Sequence, residues 1–293
     1  MKFQSVFKRV GYMTMAVVLW SCGGDSGLSV EEQFAIDDEK IEAYIATNNL
    51  QDVQTTTSGL RYIITREGTG NFPEVEELVV VHYKGSLLNG NTFDSSYDRG
   101  APFTYTFGVG QVISGFDLGV QQISEEAKGT IIIPSYLAYG RSGSGSIGAN
   151  EVLVFEIEVL SDAQILEMDL EKIDEYIDTK SLTDVVETSS GLNYIITEQG
   201  TGDNAKDGDA ISLKYKGYLL DGTVFDETTS GTFDYTIGEI SLIDGWEEAV
   251  SLLNEGAKGT FMLPSGIGYG KVGYQDIDSN IVLIFDIELV SIN

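Results

Sequence analysis

The chain writes one domain-sized unit twice. YKGSLLNGNTFDSS, Tyr83 to Ser96, returns 132 residues later as YKGYLLDGTVFDET, Tyr215 to Thr228. At that offset TSGLRYIITREGTG (Thr57 to Gly70) pairs with SSGLNYIITEQGTG (Ser189 to Gly202), and KIEAYI (Lys40 to Ile45) with KIDEYI (Lys172 to Ile177). A two-residue deletion beyond Phe93 and Phe225 changes the offset to 130, which then holds through AKGT at Ala127 and Ala257 to the end. A unit of about 130 residues is too long for a solenoid repeat and has the size of a whole domain. The 293 residues therefore hold two copies, and a hydrophobic content of 42% suits two packed cores.

Each unit opens with a predicted helix. Ser29-Val30-Glu31-Glu32 and Ser161-Asp162-Ala163-Gln164 are capping boxes, in which the Ser oxygen and the Glu or Gln side chain satisfy free backbone N–H groups. Ile41, Tyr44 and Ile45, like Ile173, Tyr176 and Ile177, recur at helical spacing, so the helices pack on their own domain or space the two; dimerisation is the alternative.

The texture then becomes β. Val79, Val81 and Tyr83 alternate with Val80, His82 and Lys84, and Ile211, Leu213 and Tyr215 with Ser212, Lys214 and Lys216. Both runs reach a hairpin signal, Asn89-Gly90 or Asp221-Gly222, read as a two-residue turn. The alternation puts Tyr83 and Tyr215 on the apolar face. It puts His82, the only histidine, on the outer face as a surface residue.

A short helix follows, with Phe116, Gly119, Val120 and Ile123 matching Trp246, Ala249, Val250 and Leu253. Further strands are expected at Thr130–Ile133 and Val152–Val159, with partners at Thr260–Leu263 and Val282–Val290, separated by Gly/Ser-rich loops. The fold class is α+β: two domains, each an antiparallel half-barrel sheet wrapped on one short helix and preceded by an N-terminal helix. Expected boundaries are 29–160 (core 57–160) and 161–293 (core 189–293).

Charge excludes some partners. The net charge is −29, and removing a leader that holds Lys2, Lys8 and Arg9 takes it to −32. Such a surface repels nucleic-acid phosphates and anionic lipid headgroups. The N-terminus, MKFQSVFKRVGYMTMAVVLWSCGG, joins a basic segment to an apolar run, Val10 to Trp20, that is too short to span a bilayer. Leu19-Trp20-Ser21-Cys22 resembles a bacterial lipoprotein signal, with Trp20 a departure from the usual small residue; an ordinary signal peptide with an incidental Cys is the alternative. The resemblance implies a leader over 1–21, lipidation of Cys22, a tether over 22–28 and an outer-membrane anchor facing the periplasm or the cell surface. With Cys22, the only cysteine, acylated, no thiol remains for disulfides, metal binding or catalysis.

The apolar residues of unit one directed toward the short helix are Tyr83, Phe93, Phe103, Val112, Ile113, Phe116, Tyr139, Ile147 and Phe155. On composition alone they form a core. Their order and neighbours go further: V-H-Y-K-G-x-L-x-N-G-x-x-F-D-S-S-x-D-R-x-x-P-F, then G-x-x-x-V-I-x-G-F, A-Y-G and V-F-E-I-E resemble the FKBP-type peptidyl-prolyl cis–trans isomerases across Val79 to Leu160, and again from Ile211 to Val290.

The resemblance implies a shallow aromatic cup for an X-Pro dipeptide. In unit one Phe116 is its floor, with Phe93, Phe103, Val112, Ile147 and Phe155 as walls. The Ile113 N–H and Tyr139 hydroxyl hold the substrate carbonyls. Asp94 faces the twisting amide, steadied by Arg99 and Tyr83. Unit two supplies Tyr215, Phe225, Asp226, Phe233, Leu242, Ile243, Trp246, Tyr269, Ile277 and Phe285. It lacks the arginine, because DETTSGTF is two residues shorter than DSSYDRGAPF.

Bond rotation needs no nucleophile, metal or cofactor. The amide resists twisting by about 18–20 kcal/mol because resonance places charge on oxygen and double-bond character in C–N. An apolar cup disfavours that charge-separated form relative to the twisted one. The expected function is a lipid-anchored, two-domain prolyl isomerase that assists folding of secreted or outer-membrane proteins, acts on unfolded extracytoplasmic chains and is open to macrolide inhibitors. A non-catalytic chaperone using the cups only for binding is the alternative, and a β-rich surface adhesion module a third.

Overall fold

The structure, a computed structural model, describes residues 28–293. The expected leader and Cys22 lie outside the described residues. In the first unit α1 (Val30–Thr47) leads to β1 (Gln54–Thr55), β2 (Arg61–Arg66), β3 (Leu78–Leu87), β4 (Thr92–Ser95), β5 (Phe103–Thr106), α2 (Ser114–Val120), β6 (Lys128–Ile133) and β7 (Leu153–Val159). The second runs α3 (Asp162–Lys180), β8 (Val186–Glu187), β9 (Asn193–Glu198), β10 (Thr201–Asn204), β11 (Ala210–Leu219), β12 (Val224–Glu227), β13 (Phe233–Thr236), α4 (Asp244–Ser251), β14 (Asn254–Glu255), β15 (Lys258–Leu263) and β16 (Leu283–Ile292). The small pair β10–β14 has no counterpart strand pair in the first unit.

Each sheet is antiparallel, in the order β1-β2-β6-β7-β3-β4 or β8-β9-β15-β16-β11-β12. The long central strand changes partner along one edge: β5 pairs with Leu78–Val81 and β4 with Lys84–Ser86. The sheet wraps α2, whose Phe116 and Val120 meet Val81, Ile131, Phe155 and Ile157 in the core. Burying each such side chain contributes about 1.5–3 kcal/mol, so this face dominates the stability of the unit. Both short helices end before the full apolar spacing does. Ile123 and Leu253 are buried just beyond α2 and α4.

Both capping boxes form, Ser29 with Glu32 and Ser161 with Gln164. The opening helices lie on the outer sheet faces of their own units: Ile41 packs on Ile132, Val152 and Val154, and Ile173 on Met262, Val282 and Ile284. A buried carboxylate pins each helix. Asp37 accepts from the Ser135 N–H (2.8 Å), the Ser135 hydroxyl (2.6 Å) and Gln33 Nε2 (2.7 Å). Asp169 accepts from the Ser265 N–H at 2.8 Å and its hydroxyl at 2.5 Å. Helix α3 also spaces the units, because its Ile165 and Met168 cover Val80 and Leu160 of the first. Asn280 Nδ2 donates to Thr104 Oγ1 across the same junction at 2.7 Å.

Two expectations need correction. His82 is not a surface residue; it is 7% exposed. Its ring stacks on Tyr97 at 4.4 Å, and Nδ1 bonds the Ser96 hydroxyl at 2.9 Å. Strict alternation fails because the Ser95–Tyr97 loop and α3 cover the outer face of β3. The hairpin loop is three residues, not two. Leu87 N–H bonds Asn91 O, Gly90 N–H bonds Leu87 O, and Gly90 sits at φ +86°. This is a turn followed by a left-handed bulge residue, the next commonest hairpin geometry, and Gly222 repeats it at φ +90°.

Candidate functional site

A cavity of about 590 Å³ opens between the concave sheet face and α2 of the first unit. Tyr83 enters it from β3, Phe93 and Asp94 from β4, Phe103 from β5, Phe116 from α2 and Phe155 from β7. Val112 and Ile113 come from the turn before α2, and Tyr139 and Ile147 from the β6–β7 loop. Those predicted residues are therefore brought together. Arg99 does not line the cavity but stands behind it, against Asp94 and Tyr83.

The floor is a set of edge-to-face rings. Phe116 meets Tyr83 at 5.7 Å, Tyr105 at 5.7 Å and Phe155 at 5.2 Å, the geometry aromatic pairs prefer. Tyr105, buried beneath Phe103, escaped the sequence reading, although a second aromatic two residues on in β5 was a visible signal. The glycine of the twice-written YKG has a structural cause. A Cβ on Gly85 would stand 2.7 Å from the Phe93 ring and 2.8 Å from that of Phe155. Only glycine lets those rings meet over the strand, and Gly217 does the same for Phe225 and Phe285.

Asp94 is the one charge in this cavity wall. The Tyr83 hydroxyl donates to one carboxylate oxygen and the Arg99 guanidinium to the other, while Arg99 also donates to Tyr83 Oη at 2.9 Å. Burial pushes the Asp94 pKa up, but the bonds from Tyr83 and Arg99 outweigh it and hold the carboxyl below its usual range. Burial and the neighbouring carboxylate push the Tyr83 hydroxyl up, so it stays a donor. The Ile113 N–H and the Tyr139 hydroxyl line the cavity and take no hydrogen-bond partner among the described residues. Both are available to a ligand.

The second unit is built alike but opens differently. Tyr215 Oη donates to Asp226 at 2.6 Å, and Asp226 is exposed with no arginine beside it. Trp246 takes the floor position, 5.0 Å from Tyr215 and 5.1 Å from Phe285, and its Nε1 donates to Tyr235 Oη at 3.1 Å. Tyr269 stacks on Tyr274 at 4.9 Å, where the first unit has Ser144. The resulting cavity, about 480 Å³, is lined by Phe225, Asp226, Tyr269, Tyr274 and Ile277. Tyr215, Phe233, Leu242, Ile243, Trp246 and Phe285 stand outside this cavity: Trp246 and Phe285 are buried, and the other four are half-buried against them. The two cups, already expected to differ at the missing arginine, also differ at Tyr274, a residue that sequence reading missed.

Among the described residues no group of three His, Cys, Asp or Glu is disposed to hold a metal ion, and no helix is long and apolar enough to cross a membrane.

Comparison with known proteins agrees with this architecture. The family described as FKBP-type peptidyl-prolyl cis-trans isomerase matches residues 70–160 and 202–290. The chain is 47% identical over 124 residues to the FKBP-type peptidyl-prolyl cis-trans isomerase FkpA of Aeromonas hydrophila, covering 42% of this chain and 46% of that protein. It is 33% identical over 220 residues to peptidyl-prolyl cis-trans isomerase FKBP9 of Homo sapiens, covering 74% of this chain and 35% of that protein. The crystal structure of FkpA from Escherichia coli aligns with TM-score 0.40 at 35% identity, over 45% of this chain and 61% of that one. The chain thus spans about half the length of the first of these relatives and about a third of the second. With matched segments in both copies, each carrying the same sheet and helix, the chain belongs to the FKBP-type peptidyl-prolyl cis-trans isomerase family.

Proposed function

We propose that this protein catalyses cis–trans isomerisation of X-Pro bonds in unfolded or extracytoplasmic polypeptides, mainly through the first unit. The observation that carries the reading is the open aromatic cavity over Phe116, with one ionised, doubly held carboxylate in its wall and two donors without protein partners. The proline ring sits on Phe116 between Phe103 and Phe155. The Ile113 N–H and Tyr139 hydroxyl donate to substrate carbonyls. Desolvation weakens amide resonance, and Asp94 stabilises the rotating, less conjugated amide by its field. Uncatalysed exchange takes tens to hundreds of seconds. Bringing it to roughly ten milliseconds requires about 5 kcal/mol, within reach of desolvation plus one or two hydrogen bonds.

The second unit binds rather than catalyses in this reading, since its Asp226 has one holder and Tyr274 narrows the approach to its floor. The Leu19-Trp20-Ser21-Cys22 segment supports a lipid anchor on Cys22. Several acyl chains hold a membrane firmly where one holds it only marginally. Labelled palmitate should enter the mature protein and be lost in Cys22→Ser.

Exchange NMR on an Ala-Pro peptide tests the central claim. The full chain should broaden the cis and trans proline resonances, and tacrolimus should suppress the effect. A folded protein that leaves exchange at its uncatalysed rate would overturn the isomerase reading in favour of a chaperone that only binds.

A further inference from the structure

Outside their cups the two units also differ beside the opening helix. In the first, Tyr136 lies against Phe34 of α1 with ring centroids 4.0 Å apart, and its hydroxyl donates to the Ser58 carbonyl at 2.8 Å. The second unit has Gly266 in place of Tyr136 and Leu166 in place of Phe34. Both rings are gone. A Cβ built on Gly266 meets nothing within 4 Å. What remains is a largely apolar groove of about 520 Å³ between α3 and the Pro264–Gly270 loop, lined by Ile165, Leu166, Pro264 and Ile267. The Asp162–Lys271 ion pair, 2.6 Å, flanks it. The Ser190 carbonyl, counterpart of the Ser58 acceptor, receives no hydrogen bond among the described residues.

We propose that this groove is a binding site for the aromatic side chain, tyrosine above all, of a bound polypeptide. Two observations commit it to that occupant. The first unit fills the equivalent space with a tyrosine of its own, so the size and apolar character fit a phenol ring. The unused Ser190 carbonyl is the acceptor that a phenol hydroxyl needs. Groove and second cup share no lining residue, but one loop carries Pro264, Gly266 and Ile267 on the groove and Tyr269 on the cup. A chain whose proline lies at Tyr269 therefore has an aromatic site beside it on the same loop. That last step rests on the reading of the cups as polypeptide sites; the groove itself does not.

The test uses the full chain with labelled Ile and Leu methyl groups and p-cresol as probe. Saturable shifts are expected at Ile165, Leu166 and Ile267. Gly266→Tyr refills the groove with the first unit's residue and should abolish them, and its Cβ has room to be accommodated. Tyr136→Gly combined with Phe34→Leu should open a matching groove in the first unit and create shifts there. A Tyr-containing X-Pro peptide should bind the second unit about tenfold more tightly than its Ala counterpart, and Gly266→Tyr should erase that difference. No shift at those methyls up to the solubility limit of p-cresol, or shifts that persist in Gly266→Tyr, would overturn the proposal. Equal affinity of the Tyr and Ala peptides would overturn it too. Failure of the isomerase reading shows separately, as unaccelerated Ala-Pro exchange with the p-cresol shifts intact.

Discussion

Tyr215 Oη donates to Asp226 at 2.6 Å, and among the described residues no cation joins them. The same tyrosine–aspartate bond in the first unit, Tyr83 to Asp94, is completed by Arg99. The difference follows from the two-residue deletion that removed the arginine loop. One unit thus holds its carboxylate from two sides, and the other holds an exposed carboxylate from one.

Arg99→Ala should give the first unit the arrangement of the second. We expect the Ala-Pro exchange rate to fall about tenfold, equivalent to losing a hydrogen bond to a charged group. Stability should change by no more than about 1 kcal/mol, because both members of the Arg99–Asp94 pair are nearly half exposed. Asp94→Val should reduce the rate further with a similarly small effect on the urea midpoint. A rate unchanged in Asp94→Val would remove Asp94 from the mechanism.

His82 makes stability depend on pH. Burial disfavours its imidazolium; Glu158 pulls the other way, Lys172 and Lys128 add to the burial effect, and the net pKa is below the ordinary value. Between the lowered folded pKa and about 6.5 the unfolded chain binds more protons, so stability rises with pH there. The contribution is fully present above about pH 6.5 and is lost as pH falls through the folded pKa. Urea midpoints of the wild type should therefore drop between pH 7.5 and 5.5 by more than those of His82→Gln. Identical drops would mean that His82 charges in place.

Much of this architecture was legible in the sequence, and the failures share a cause. Repetition at fixed offset exposed the domains, the capping boxes and the cup order, because each is a local or period-based signal. His82 was misassigned because alternation describes a strand with one wet face, and β3 is covered on both. Tyr274 went unnoticed because its effect lies in a stacking contact with Tyr269 inside a Gly-rich loop, where no periodicity operates. Asp37 and Asp169 carried a readable signal. They recur at offset 132 in the first half of the helix, where residues 30–36 and 38 all differ from their counterparts, and a buried carboxylate with a fixed partner explains it.

Asp37→Ala should be costly. It removes the acceptor for the Ser135 N–H and hydroxyl and for Gln33, leaving buried donors unpaired. Such orphaned groups cost about 1–3 kcal/mol each, so a loss of at least about 2 kcal/mol is expected from urea unfolding. Asp37→Asn keeps one acceptor and should lose less. If Asp37→Ala unfolds with an unchanged midpoint, the clamp is decorative and α1 is held by Ile41 and its neighbours alone.

Trp246 reports on the second cup. Trp20 is the one other tryptophan of the chain; Trp246 is 5% exposed and does not line the second cavity. Its indole is engaged by Tyr235, and the Tyr269–Tyr274 stack stands over the neighbouring wall. An X-Pro peptide added to the wild-type chain should therefore change tryptophan emission only weakly. Tyr274→Ser restores the residue that the first unit has at this position and dissolves the stack. In that variant the peptide should reach the ring and alter intensity or wavelength saturably, and Phe233→Ala should weaken the response. Phe116→Ala in the first unit should leave it untouched, since the two cavities share no residues. A wild-type response as large as that of Tyr274→Ser would show that the stack opens readily and is no barrier to the cup. A flat titration in Tyr274→Ser, with the protein folded, would assign Trp246 and its neighbours to the core alone.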